Sequence, residues 1–249
     1  MRVSVILLEF HSVSEIAAAV QSVRRFDDNC EIIVSSNSLY TPDEQQRVCR
    51  EVPGVRWVFN EKNGGFGYGM TMGAWQARGE YLVFLNSDVL LRSDFQEMVD
   101  YLERHKQVGM IAPQLEAPNG EVQDSYRDFI TPLNLVRRNV KRFFHRLPDP
   151  KLSAPQTVDW VIGAFMLTKK AYFERVGGFD YQRYFMYVED MDLCRELKRE
   201  GLQTVYYPLA KAEYVGTRAS RKKWKYTKIH LQSLCRYWQK NLFRRPRRN

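Results

Sequence analysis

No run of apolar residues in this sequence is long enough to span a bilayer, and its first residues lack the small-residue cleavage site of a secretory leader. The four cysteines, Cys30, Cys49, Cys194 and Cys235, show no metal-ligand spacing and read as reduced thiols. The cytoplasm is therefore the expected compartment. The four histidines are equally scattered, with His105 and His145 expected at the surface. No GK[ST] follows a glycine-rich segment, which excludes a Walker phosphate loop. No repeat recurs, and not one acid occurs from Arg218 to Arg247.

The remaining composition bounds the fold. A length of 249 residues suits one large domain with a core that needs no staple. Hydrophobic residues at 44% and aromatics at 13% exclude a disordered chain. A net charge of +9, concentrated in the acid-free stretch, implies an anionic partner. Nucleic acid, anionic lipid headgroups and sugar phosphates all satisfy that charge.

Strand and helix patterns alternate along the first half. RVSVILLEF, CEIIVSS, VRWVF and EYLVFLNS read as buried strands. Ser12 and Glu15 have the spacing of a capping box, as do Thr41 and Glu44 around Pro42. GMTMGAWQAR is expected as a helix ended by Gly79. Short strand–helix–strand links imply an α/β domain with a mainly parallel central sheet covered on both faces. Residues 1–217 form this expected domain. Within it, 118–157 lose periodicity and suit a functional loop. Residues 218–249 read as a basic, aromatic helical appendage.

Ligands of parallel α/β sheets bind at the carboxyl ends of the strands. Glu9, Phe10 and His11 end the first strand, Ser35, Ser36 and Asn37 the second, and Asn86, Ser87 and Asp88 the fourth. Together they predict a polar ligand at one sheet edge. Asp88 suits a divalent cation bridging a diphosphate, and equally a turn. The turn Asn63-Gly64-Gly65-Phe66-Gly67 suits either close approach to a phosphate or structure alone. Trp160 reads as a sugar-stacking wall or a core residue, with Gly163 beside it as a close-approach glycine. In FMYVEDMDLCRELKREG, Glu189, Asp190 and Asp192 open an amphipathic helix, as solvated helix-start acids or as ionised groups for chemistry.

The order SVILLEFHS, EIIVSSNS, NGGFGYGMTMG, YLVFLNSDVLL, DWVIGAFMLTKKAYFERVGGFD and FMYVEDMDLCRELKREG resembles a bacterial family 2 glycosyltransferase of the GT-A fold. The resemblance spans Val3 to Lys240 and is nearest the rhamnosyltransferase branch that builds polysaccharides. It implies an inverting transferase using a nucleotide-diphosphate sugar and Mg²⁺ or Mn²⁺. By the same resemblance, Glu9, Phe10, Ser36, Asn63, Gly64, Gly65, Asn86 and Ser87 hold the donor, and Asp88 the metal. Asp190 corresponds to the catalytic base; Trp160, Gly163 and Glu189 lie on the acceptor side, as does the 118–157 loop.

Three positions depart from such relatives. Glu9-Phe10-His11 stands where Thr-Tyr-Asn is frequent, Ser36 where an Asp contacts the base, and Tyr214 where a histidine binds the metal. The last implies fewer protein ligands for the cation. The acceptor implied is a glycan or lipid-linked glycan, and the basic tail with its Trp224, Tyr226, Tyr237, Trp238 and Phe243 reads either as resting on the anionic inner face of the membrane or as a solvated helix packed on the domain. No nucleic acid is expected. Two rivals are a basic nucleic-acid-binding module, which leaves the NSD and VED acids unexplained, and a non-catalytic partner in an assembly complex.

Overall fold

The computed structural model describes residues 2–131, 153–216 and 224–242. In chain order its strands are β1 (Val3–Glu9), β2 (Glu31–Ser36), β3 (Arg56–Phe59), β4 (Tyr81–Asn86), β5 (Val89–Leu91), β6 (Val108–Glu116), β7 (Tyr126–Arg127), β8 (Gln156–Val158), β9 (Trp160–Val161), β10 (Phe165–Lys169) and β11 (Gln203–Tyr214). The helices are α1 (Val13–Arg24), α2 (Pro42–Glu51), α3 (Phe66–Gln76), α4 (Gln96–Arg104), α5 (Lys170–Arg175), α6 (Glu189–Arg199) and α7 (Trp224–Leu242).

The main sheet runs β3-β2-β1-β4-β10-β6-β11-β5, with β8 added beside β11. The half from β3 to β4 is parallel throughout, as repeated strand–helix–strand units require. Beyond it β10 runs antiparallel between β4 and β6, and β11 returns parallel to β6. Strands β7 and β9 form a separate ribbon. Each face of the main sheet carries its own core. Val5, Leu7, Ile16, Val20, Met98 and Leu102 pack under α1 and α4. Ile6, Met70, Phe173, Leu193, Leu197 and Leu234 pack under α3, α5, α6 and α7. The opposite allegiance of Leu7 and Ile6 reflects the two-residue period of a strand.

Local signals succeed where the partners are close in sequence. The Thr41 side chain accepts from the Glu44 amide while Glu44 returns a bond to the Thr41 amide, completing the box at α2. At α1 the corresponding expectation fails. Ser12 makes no side-chain cap bond, and the return bond is missing too, since the Ser12 amide donates to Glu9 at 3.0 Å and Glu15 accepts from Ser87. Helix α3 begins at Phe66, earlier than its apolar pattern predicts, so Gly67 and Gly69 lie inside the helix. A β-carbon at Gly69 would collide with Leu8, so close packing on β1 sets this glycine.

The segment 118–157 contains β7 and part of β8; residues 132–152, including His145, lie outside the described residues. His105 is half-buried, its ring 4.0 Å from that of Tyr101. Of the basic stretch 218–249, 218–223 and 243–249 lie outside them too, as does Phe243, and the remainder forms α7. Among the described residues no helix is long and apolar enough to cross a membrane.

Candidate functional site

The carboxyl ends of β1 and β2 meet in a network centred on Glu9. Its fully buried carboxylate accepts from Ser36 Oγ at 2.5 Å, Ser38 Oγ at 2.8 Å, Tyr40 OH at 2.9 Å and the Ser12 amide at 3.0 Å. Glu9 and Ser36 are thus brought together, and Glu9 acts as the hub that shapes the β2 turn. Beside it Phe10 is 50% exposed, its ring 4.5 Å from the His11 ring. An exposed aromatic over a polar strand end is a surface on which a planar base can stack.

The glycine-rich turn is tied to the same edge. Asn37 Nδ2 donates to the Gly65 carbonyl at 3.0 Å, and Asn60 Nδ2 donates to Asn37 Oδ1 at 2.9 Å. Asn63 Oδ1 accepts from the Gly65 amide at 3.1 Å, and the Tyr68 ring covers Gly64. Gly65 has φ +87°, and a β-carbon there would collide with the Phe185 carbonyl. That carbonyl accepts from the Phe66 amide at 3.2 Å, so the turn grips the segment leading into α6.

The acids of α6 follow a strained turn. Tyr187 and Val188 stand at φ +69° and +78°, a region that costs a non-glycine residue about 1–3 kcal/mol. Asp190 emerges half-buried, its two oxygens accepting from the Gly163 and Met191 amides, each at 2.8 Å. Burial raises its carboxyl above the ordinary value, against the pull of those amides and of nearby Arg127. Glu189 is buried, and its Oε2 has no hydrogen-bond partner among the described residues. Burial, then the Asp190 charge, push its carboxyl up to about 8, so the two neighbouring acids oppose each other's ionisation. Asp192 lies in the first turn of α6, as expected of a helix-start acid, but inside the protein instead of in solvent. It is buried, and its carboxylate meets Lys240 Nζ at 2.5 Å.

Gly163 links this group back to β4. A β-carbon on it would press on the Phe66 ring at 3.2 Å and on Asp190 Cβ at 3.4 Å, so it is a close-approach glycine. The next residue, Ala164, accepts from the Asn86 amide at 2.9 Å. Asp88 lies just beyond, its carboxyl raised by burial and then by the Glu15 charge, with Asn86 as a side-chain partner. Its backbone carbonyl accepts from the Val215 amide at 3.3 Å, which brings the end of β11 and Tyr214 alongside. Ser87 Oγ donates to Glu15 at 3.1 Å. Trp160 is buried, donating to the Asp128 carbonyl at 3.0 Å, with the Arg127 guanidinium 5.7 Å from its ring centre. Its face is therefore covered by a cation.

Sequence reasoning missed Ser38, Tyr40 and Asn60, which complete the strand-end network, and Arg127, which faces Asp190. The first three follow β2 and β3 at strand-end positions, where polar side chains are the signal. Arg127 carried none, because its place depends on the pairing of Arg127 with Trp160 between β7 and β9.

The fold is that of the GT-A glycosyltransferases. The chain belongs to glycosyl transferase family 2, whose model matches residues 4–177. It is 27% identical to the rhamnosyltransferase WbbL of Escherichia coli K12, over 94% of this chain and 92% of that protein. It is 30% identical to the N-acetylglucosaminyl-diphospho-decaprenol L-rhamnosyltransferase of Mycobacterium tuberculosis H37Rv, over 53% of this chain and 45% of that enzyme. Among solved structures, the mannosyltransferase PcManGT of Pyrobaculum calidifontis, in complex with GDP-Man and Mn²⁺, superposes with a TM-score of 0.63 at 17% identity. That likeness covers 96% of this chain and 64% of the mannosyltransferase, and it shows the GT-A fold. The protein is accordingly a glycosyltransferase, the leading reading of its sequence.

Proposed function

We propose that this enzyme moves a sugar, with inversion, from a nucleotide-diphosphate sugar to a hydroxyl of a lipid-linked glycan in cell-surface polysaccharide synthesis. The rhamnosyltransferases it is similar to make a deoxyhexose such as rhamnose the favoured sugar. The observation that carries the reading is Asp190, which is half-buried, raised by burial and fixed by two backbone amides on the edge that also bears Asp88.

In this reading the donor nucleoside rests on Phe10 and against the turn shaped by Glu9 and Ser36. Asn63, Gly64 and Gly65 form the adjoining wall, and Asn86 and Ser87 approach the diphosphate. Asp190 takes the proton of the acceptor hydroxyl as its oxygen bonds the anomeric carbon. The bond from that carbon to the phosphate oxygen breaks, and its electron pair leaves with the nucleotide diphosphate. General-base help of this kind contributes roughly 10²–10⁴-fold. Glu189, Trp160 and Gly163 bound the acceptor side.

The residues at Asp88 fit a divalent cation shared with the substrate. Their donors are hard oxygens, and a neighbouring cation would relieve the carboxyl that burial and Glu15 hold up. Mg²⁺ and Mn²⁺ are the hard divalent cations that such oxygen donors favour. Asp88 and Asn86 would hold it, and it would neutralise charge developing on the leaving group.

The outward face of α7, with Lys228, Leu231, Gln232 and Cys235 exposed, suits a cytoplasmic enzyme resting on an anionic bilayer. Salt-sensitive cosedimentation with phosphatidylglycerol vesicles is expected; equal partitioning onto neutral vesicles removes that part of the reading.

The principal test is Asp190→Asn, assayed with dTDP-rhamnose and a polyprenyl-diphospho-N-acetylglucosamine acceptor. Turnover should fall by about 10²–10⁴-fold with donor affinity retained. Wild-type turnover in this variant would remove Asp190 from the mechanism.

A further inference from the structure

We propose that α7 is a positioning element of the transfer site, in which Ser233 and Lys240 clamp the strained turn that delivers Asp190. The inference rests on Asp190 as base and extends the site to a helix otherwise read as a basic appendage.

The clamp closes on both sides of the turn. Ser233 Oγ donates to the Met186 carbonyl at 2.9 Å, immediately before Tyr187 and Val188. Lys240 Nζ reaches Asp192 Oδ2 at 2.5 Å, just after Asp190, and also Asp180 at 3.1 Å and Glu196 at 3.3 Å. Seven residues separate Ser233 from Lys240, so two helical turns put both on one face, about 10 Å apart. Between them Arg236 donates to the Arg183 carbonyl at 2.8 Å, and Tyr237 is buried in the core. The His230 ring lies over that of Tyr187 at 5.0 Å. Thus the carbonyls of Arg183 and Met186 and the Tyr187 ring, all in the approach to the turn, are held from α7.

The chemistry of the lower anchor favours a fixed geometry over a loose one. Burial works against the Lys240 ammonium, yet its carboxylate partners more than offset it and raise its pKa. Asp180 also pairs with Arg183 and Glu196 with Arg199, whereas buried Asp192, which also accepts from Tyr184 OH at 3.3 Å, would lose its cation if Lys240 left. A left-handed backbone pair persists only where its surroundings over-determine it. Within the described residues, α7 supplies that constraint from one side and the Gly65–Phe66 turn, through Phe185, from the other.

Ser233→Ala, Lys240→Met and Lys240→Arg test the clamp in the full-length protein. Hydrogen exchange at residues 186–192 is expected to rise about tenfold in Ser233→Ala while β1 and β2 keep their protection. Its kcat with dTDP-rhamnose should fall about tenfold, with donor affinity within about twofold, because the base is displaced and the donor edge is untouched. Lys240→Met should exceed this, and Lys240→Arg should recover part of it. Unchanged exchange and kcat in Ser233→Ala and Lys240→Met would overturn the proposal. So would a uniform loss of protection across the sheet, the mark of general stabilisation. If Asp190→Asn stays active, the base assignment fails, whereas exchange at 186–192 still decides the clamp on its own.

Discussion

The two sides of the site are built on opposite plans. At the donor edge, the Glu9 carboxylate is met by three hydroxyls and one amide, and Asn37 and Asn60 satisfy each other and the glycine-rich turn. Around Asp190, two residues sit in left-handed backbone and Glu189 keeps a buried oxygen without a partner among the described residues. A satisfied network makes a rigid seat for a ligand that must be recognised. Strain and raised carboxyls make a poised group for a proton that must move. On the proposed reading, one sheet edge would separate recognition from chemistry by how completely its polar groups are paired.

Substitutions on either side should break this contrast in different ways. The largest effect is expected for Asp190→Asn, which should remove turnover and spare donor affinity. Glu9→Ala should do the reverse in kind. It strands several donors at once, so stability should fall by about 3 kcal/mol in urea unfolding and donor affinity should drop with it. Stability within experimental error of the native protein would mean that the hub is dispensable.

Gly65→Ala acts where the two halves touch. Its positive φ and the Phe185 carbonyl both oppose a side chain, and about 2 kcal/mol of stability should be lost. Both kcat and donor affinity should decline, and an effect on one alone would show that the turn serves only that half.

The last effect, read in pH dependence, concerns Glu189→Gln. A carboxyl pushed up to about 8 in the fold keeps its proton between the unfolded value and that pH, while the unfolded chain has released it. Native protein then binds more protons than unfolded, so stability falls as pH rises from about 4.5 through 8. Thermal unfolding of Glu189→Gln across that window should show a shallower fall. An unaltered slope would mean that Glu189 is ionised throughout.

What could be read from the sequence follows the range of each interaction. The four strands of the parallel half are short apolar runs, and the Thr41 box needs only Glu44, three residues away. Asp88 and Asp190 were legible as acids ending apolar patterns. Pairing partners were not: nothing in FMLTK says that it runs antiparallel between β4 and β6. Ser12 carried a sound local signal that Glu9 overrode by taking its amide. Asp192 resembled a solvated cap because its cation lies 48 residues further on. Arg127 pairs locally with Asp124, but it needed the β7–β9 pairing before it met Trp160.

The position of β10 has a consequence for synthesis. Strands β1 to β4 complete their parallel pairing within the first 86 residues, so the donor edge can assemble while the chain is still emerging. Strand β10 must then return to β4, and β11 to both β6 and β5, before the sheet is whole. Lys240 reaches Asp192 only after those closures. The hydroxyl network around Glu9 can therefore form well before the α7 contacts that hold the turn ahead of Asp190.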